Sequence, residues 1–377
     1  MDFSITEDQS MLQDSVAKFI QNDYDFEARQ QAAASDQGFS SERWQTFAEL
    51  GLTAVPFSES DGGLDGGAVE LMLLMEEFGK GLVIEPYLPS IIMAGGAIKR
   101  LADDAQKESW LHPLIDGSKS AALAYAEPQS RYNITDVTLS AVDKEGGYVL
   151  NGNKTVVLNG GNADTLVVSA RTSGERTDAD GISLFVVAAD APGIKRKSYP
   201  TVDARQAAEI SFENVLVGAN AMLGDKGNAA ATLSAVLDDA IIAVCAEAVG
   251  IMQVLNYKTL EYTKSRVQFG KPIASFQALQ HRMVDMFVIA EQTRSLLLHA
   301  VMACGEDDAL QRETALRSLK IQIGTEGRKL GEEAVQLHGG MGVTWELDVA
   351  HYFKRLTMID TLFGNASYHL EHYPLST

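Results

Sequence analysis

The segment Arg266-Val267-Gln268-Phe269-Gly270-Lys271-Pro272-Ile273 stands between a long run of helical period and a second one that begins near Phe276-Gln277-Ala278-Leu279-Gln280. Read locally it is a helix stop. Arginine favours the negative C-terminal end of a helix dipole, Gly270 suits a left-handed cap, and Pro272 prevents continuation. That leaves over an arginine, an amide and an aromatic ring gathered at one helix end, a set able to meet a pyrophosphate and stack on a flat ring. A second segment, Gln336-Leu337-His338-Gly339-Gly340-Met341-Gly342, offers successive backbone N–H groups with no side chains in front of them. Such a turn can cradle phosphate or ribose oxygens, and its local alternative is a glycine cap between two helices.

Outward from these segments the helical period continues. Phe276, Leu279, Met283, Met286, Phe287 and Ala290 fall on one predicted face, and similar stripes run through 229–264 and 308–338. Four long helices from 223 to 377 predict an antiparallel bundle. Residues 1–117 read as helices over Gln9–Asn22, Ser40–Leu50 and Ala68–Phe78, separated by glycine-rich turns. Residues 118–222 change to short β-rich runs such as Tyr148–Leu150, Thr155–Leu158, Leu166–Val168 and Leu184–Val187, with Asn151-Gly152 read as a hairpin turn. The expected fold is α+β: an N-terminal helical domain, a small antiparallel β domain and a C-terminal four-helix bundle.

The chain has 377 residues, 46% of them apolar and 22% charged, enough for substantial cores. A net charge of −20 argues against nucleic acid or an anionic membrane as partner, because those surfaces need dense basic patches. Cys245 and Cys304 lie in apolar helical runs and read as core thiols in a reducing compartment. The acidic N-terminus lacks the layout of a secretion signal and no run of 18 apolar residues occurs, so a cytoplasmic protein is expected. No metal pattern is found, and His369 with His372 reads as part of a tail helix.

In their order and spacing the two segments closely resemble the acyl-CoA dehydrogenase family. The resemblance extends over Gly51-Leu52 to Gly63-Leu64, Met75-Glu76-Glu77-Phe78-Gly79, Ala126-Glu127-Pro128, Asn151-Gly152-Asn153-Lys154 to Asn159-Gly160-Gly161, and Leu223-Gly224. It implies FAD as cofactor, an acyl-CoA substrate and α,β-dehydrogenation, with an electron-transfer protein as a further partner. It also implies a FAD site shared between chains. One chain holds the flavin ring and acyl group, and its neighbour reaches over to the adenosine-diphosphate end.

The family pattern for the adenosine-diphosphate end is matched at Arg266, Gln268, Phe269, Gln336, Gly339 and Gly340. The ring end departs from it. Ala126 stands where the family has threonine, and Val156 and Leu158 replace a tryptophan and a threonine near the flavin. The catalytic glutamate of the family falls on Phe363 of Leu362-Phe363-Gly364-Asn365, and the alternative base position of some members falls on Ala240. Among nearby acids, Asp239 points about 100° away from Ala240, while Glu247 lies on much the same helix face roughly 10 Å along the axis. Glu247 is thus the spare candidate for a base, its plainer reading being a polar contact between helices. The expectation is a heteromer with a related subunit that supplies the ring contacts and the glutamate. The alternatives are a self-sufficient homotetramer using Glu247, and a non-catalytic stabilising subunit.

Overall fold

The computed structural model describes residues 5–305 and 308–374. Its elements in chain order are α1 (Glu7–Asp23), α2 (Phe26–Ala33), α3 (Ser41–Glu49), α4 (Ala68–Gly81), α5 (Gly96–Leu101), α6 (Asp104–Trp110) and α7 (His112–Ile115). Eight strands follow: β1 (Ala121–Ala124), β2 (Ser140–Lys144), β3 (Gly147–Leu158), β4 (Thr165–Arg171), β5 (Ile182–Ala188), β6 (Ile194–Pro200), β7 (Gln206–Gly218) and β8 (Met222–Leu223). Last come α8 (Ala230–Ser265), β9 (Val267–Gln268), β10 (Lys271–Pro272), α9 (Gln277–Cys304), α10 (Ala309–Gln322), α11 (Arg328–His338), α12 (Val349–Thr361) and α13 (Ala366–Glu371). The helix starts have a local cause: Thr6 and Gln9 form a reciprocal capping box on α1, and the Ser40 side chain caps α3.

By internal contacts the chain divides into two compact units. One comprises residues 32–67 and 84–240, the other 1–31, 68–83 and 241–377.

The first unit is built on a sheet of order β6-β7-β3-β2-β4-β5-β8, antiparallel except that β1 joins β4 in parallel and β2 touches β4 in parallel at one pair. Leu150, Leu166, Val168, Phe185, Ile210 and Phe212 form its core face. The hairpin turn expected at Asn151-Gly152 is not there. β3 runs unbroken through it, and the two-residue turn is Glu145-Gly146 between β2 and β3. Asn151-Gly152 is instead a bulge, with a register shift against β7 between Leu150 and Gly152. The physical reason is a close approach: a Cβ on Gly152 would lie 2.7 Å from the Leu139 backbone, and its φ of 146° suits only glycine.

The second unit holds α8 from Ile241 onward together with α9 and α12, with α10 continued into α11 through a π-turn at Ile323–Gly327. Here α4 crosses α8 at backbone distance. A Cβ on Gly250 would lie 1.9 Å from the Glu76 carbonyl oxygen, and one on Gly79 would lie 2.1 Å from that of Glu247. The α9 stripe read from the sequence is also corrected. Met286 and Ala290 are buried, together with Ile289, Thr293 and Leu297, but Phe287 is 57% exposed beside exposed Val284 and Val288. Residue 287 is one helical step, about 100°, from 286, so the run of apolar residues wraps onto a second face. Cys245 is buried and Cys304 half-buried.

Gly250 gives a test whose sign is informative. In an open helix Gly→Ala gains about 1 kcal/mol. Gly250→Ala is expected to lower the urea midpoint instead, by the equivalent of ~1–3 kcal/mol or more from overpacking, while Gly305→Ala, with φ −85° and only an ordinary contact at 3.5 Å, has no such clash.

Candidate active site

The Arg266–Ile273 segment is a hairpin rather than a helix cap. α8 ends at Ser265, and Gln268 pairs with Lys271 and Val267 with Pro272. Phe269 and Gly270 form the two-residue turn with φ of 53° and 80°. Positive φ at both central residues gives the twist that a tight hairpin favours. The Phe269 ring is set edge-on to Phe276 at 6.1 Å, and the Lys271 ammonium sits 4.4 Å from the same Phe276 ring. Phe269 is nonetheless 91% exposed, and Arg266 and Gln268 are exposed beside it.

The glycine segment caps α11. Gly339 has φ 60° and ψ −141°, and a Cβ at Gly339 or Gly340 would meet nothing within 4 Å, so its backbone faces open space. Gly342 differs: a Cβ there would lie 2.5 Å from the Val335 carbonyl, which closes the turn onto the helix. The two segments are drawn together by a ring stack that neither motif announces. Tyr262, in the last turn of α8, stacks on His338, at the end of α11, at 4.4 Å and 27°. His338 is buried and its Nδ1 donates to the Ala334 carbonyl at 2.8 Å; burial lowers its pKa and keeps the ring neutral. Gln336, on the exposed side of the same turn, completes the set.

Phe363 sits in a clamped turn after α12. Its φ is 59° and that of Gly364 is 104°. A bulky residue at positive φ costs on the order of 1–3 kcal/mol and persists only where its surroundings impose it. They do so here. Buried Lys320 donates to the carbonyls of Ile359, Asp360 and Leu362 at 2.6, 3.2 and 2.8 Å. His369 Nε2 donates to the Phe363 carbonyl at 3.1 Å, and Asp360 accepts from the Ala366 N–H at 3.0 Å. Burial pulls Lys320 down to about 8, but its three N–H bonds are all spent on carbonyls, so it has no lone pair to offer as a base. His369 and His372 each bond a backbone carbonyl, and among the described residues no cluster could hold a metal.

Glu247 is 1% exposed and locked in a two-pronged pair with Arg355 of α12, Nε to Oε1 at 2.8 Å and the terminal nitrogen to Oε2 at 2.6 Å. That is the polar contact between helices of the plainer reading. Sequence gave no sign of it, since the partner lies 108 positions away. Ala240 is fully buried, and Asp239 pairs at the surface with Arg100 at 2.7 Å.

In the β unit, Glu127 of Ala126-Glu127-Pro128 is buried against Lys154 of Asn153-Lys154 at 2.8 Å. It also accepts from the N–H groups of Thr138 and Leu139, from the Thr138 hydroxyl and from Gln129. Burial opposes its charge, yet the Lys154 charge and these hydrogen bonds outweigh that and hold the carboxyl at about 2. Val156 is 47% exposed with φ 49° at a second bulge, and Leu158 is half-buried. The Val156 turn is held by Glu209, whose Oε1 accepts from the Thr155 hydroxyl at 2.8 Å, the Val156 N–H at 3.4 Å and the Tyr199 hydroxyl at 3.0 Å. At Val156 and Leu158 the chain presents neither a large aromatic nor a hydroxyl.

A helical and β scaffold with these motifs defines a flavoprotein oxidoreductase. Three family profiles match consecutive parts of the chain: acyl-CoA dehydrogenase N-terminal domain at 6–118, middle domain at 122–215 and C-terminal domain at 227–373. The chain is 32% identical over 315 residues to the short-chain-specific acyl-CoA dehydrogenase of Megasphaera elsdenii, over 81% of each chain. The solved structure of PigA with FAD and proline matches with TM-score 0.91 at 27% identity, over 99% of this chain and 98% of that one. A Tcur3481-Tcur3483 steroid ACAD variant matches with TM-score 0.86 at 28% identity, over 97% and 96%. The chain belongs to the acyl-CoA dehydrogenase family, and FAD is its cofactor. No helix among the described residues is long and apolar enough to cross a membrane.

The Glu127–Lys154 pair yields a stability prediction. Lys154→Met strands a buried carboxylate and is expected to cost ~3–5 kcal/mol in urea unfolding. Because the folded carboxyl is held at about 2 against an ordinary 4.5, its contribution is complete above pH 4.5 and is lost as pH falls toward 2. Unfolding midpoints measured across that window should fall more steeply for the wild type than for the Glu127→Gln/Lys154→Met double variant.

Proposed function

We propose that this chain is one subunit of an FAD-dependent acyl-CoA dehydrogenase in which a related chain holds the flavin ring and carries the carboxylate base. The observation that carries the reading is Phe363: a benzyl side chain on a clamped turn, with Glu247, the nearest spare acid, bound two-pronged to Arg355. Neither can take a proton from an acyl α carbon. The other half of the site is intact. Arg266 would pair with the diphosphate, Phe269 would cover the nucleotide with a ring that is otherwise 91% exposed, and the open Gly339-Gly340 backbone would donate N–H bonds to it. Gln268 and Gln336 add amide donors beside them.

FAD, when bound, supplies the hydride acceptor for the β carbon. This chain's task is to bind and orient its adenosine-diphosphate end, while Val156 and Leu158 give the ring little to hold. The α proton then has to pass to a carboxylate outside this chain. The paired designation of the similar Tcur3481-Tcur3483 steroid enzyme supports a search for a second chain.

Removing the Arg266 charge tests the assignment. Arg266→Ala is expected to weaken FAD binding in the complex by ~10- to 100-fold, the loss of one or two charge-assisted hydrogen bonds, read by flavin absorbance after gel filtration. Glu247→Gln should lower the unfolding midpoint and leave turnover of the complex largely intact. A collapse of turnover with FAD and assembly preserved would make Glu247 the base and favour the self-sufficient enzyme.

A further inference from the structure

The outward face of the sheet carries a cleft outside the hairpin and glycine-turn residues discussed for FAD. Ile210 and Phe212 of β7 point into the core and Ile194 of β6 packs against it, so the alternating residues between them face away. Register places Lys195, Ser211 and Asn153 abreast on β6, β7 and β3, with Lys197 and Glu209 paired in the next row. A cleft of ≈ 320 Å³ opens over these rows, with Pro128 also in its wall. That volume is at the lower end of the range for small-molecule sites, about 300–1,000 Å³.

The charges in the cleft are unequally engaged. The Lys195 ammonium is paired with Glu213 at 2.8 Å, and Arg196 turns to the Ala163 carbonyl at 3.0 Å. Glu209 spends one oxygen on Thr155 and Tyr199. The side chains of Lys197, Ser211 and Asn153 make no hydrogen bond or ion pair to the described residues. An ammonium, a hydroxyl and a carboxamide, all able to donate, therefore line one concave surface. Lysines on an edge strand also guard against edge-to-edge pairing, and β6 is an edge. That accounts for Lys195 and Lys197 but not for donors on the interior strands β3 and β7 or for the concavity. Lys195 is offset by Glu213 and Arg196 lies on the core-facing register with Ile210, so of these three consecutive basic residues Lys197 alone turns an unengaged charge to the cleft, with Glu209 opposite it.

We propose that this cleft binds a phosphate monoester, with Lys197 meeting the phosphate charge and Ser211 and Asn153 donating to its oxygens. The volume left beside one phosphate takes part of the attached organic group. Two sources share this chemistry: the 3′-phosphate of a coenzyme A type nucleotide and the 5′-phosphate of a free mononucleotide. The site draws on none of the hairpin or glycine-turn residues, so it stands or falls apart from the subunit assignment.

Titration calorimetry of the full chain with adenosine 3′,5′-bisphosphate, AMP and inorganic phosphate decides it. At least one ester should bind saturably at one per chain and more tightly than inorganic phosphate. Preference for the bisphosphate assigns the coenzyme, and preference for AMP assigns the mononucleotide. Lys197→Ala should weaken that binding at least about tenfold and Lys197→Arg only a few-fold. The Asn153→Ala/Ser211→Ala double variant should also weaken it, and Lys226→Ala, an exposed lysine of the same unit, should not. Unchanged unfolding midpoints show that each variant is folded. Absence of saturable ester binding, equal affinity for inorganic phosphate, or equal weakening by Lys226→Ala would overturn the proposal.

Discussion

The crossing of α4 and α8 admits no side chain at two positions, and much of the helical unit follows from that. With Gly79 and Gly250 each facing a carbonyl oxygen of the other helix, α8 cannot slide or roll without a backbone clash. Glu247 lies one turn from Gly250, and in that fixed setting its carboxylate meets Arg355 of α12. The same helix then delivers Tyr262 to its stack on His338 and ends in the Phe269 hairpin. One tight contact therefore bears on both halves of the functional argument. It holds α8, whose last turn joins the Phe269 hairpin to the glycine turn after α11, and it keeps Glu247 in a structural pair.

Position 363 shows the same economy in reverse. Lys320, His369 and Asp360 impose a left-handed backbone on the turn whatever side chain it bears. A phenylalanine there accepts the conformational cost and offers no proton chemistry. Clamp and side chain are separable: the turn is held through backbone groups and sets no requirement on the side chain it carries.

The sequence made legible whatever is periodic or local. The helix start at Ser40, the helical runs and the change to strands at about 118 all come from short-range chemistry, while the Thr6 cap sets the first helix going two residues before the Gln9 read from the sequence. Gly270 and Asn151-Gly152 were correctly read as special backbone but assigned to the wrong motifs. A positive φ is shared by helix caps, hairpin turns and bulges, and only the partner strand distinguishes them. Phe287 misled because period alone cannot tell one buried face from two apolar ones. Nothing local pairs Glu247 with Arg355, Lys320 with the end of α12, or Tyr262 with His338, since these contacts join residues 39 to 108 positions apart on separate helices.

On the reading proposed above, the chain holds FAD by its nucleotide end and depends on a second chain for the base. The most direct measurement is acyl-CoA-dependent reduction of a dye acceptor by this protein purified alone, with FAD per chain taken from the flavin absorbance of the same sample. The account predicts no turnover and substoichiometric FAD. One FAD per chain together with turnover would contradict it.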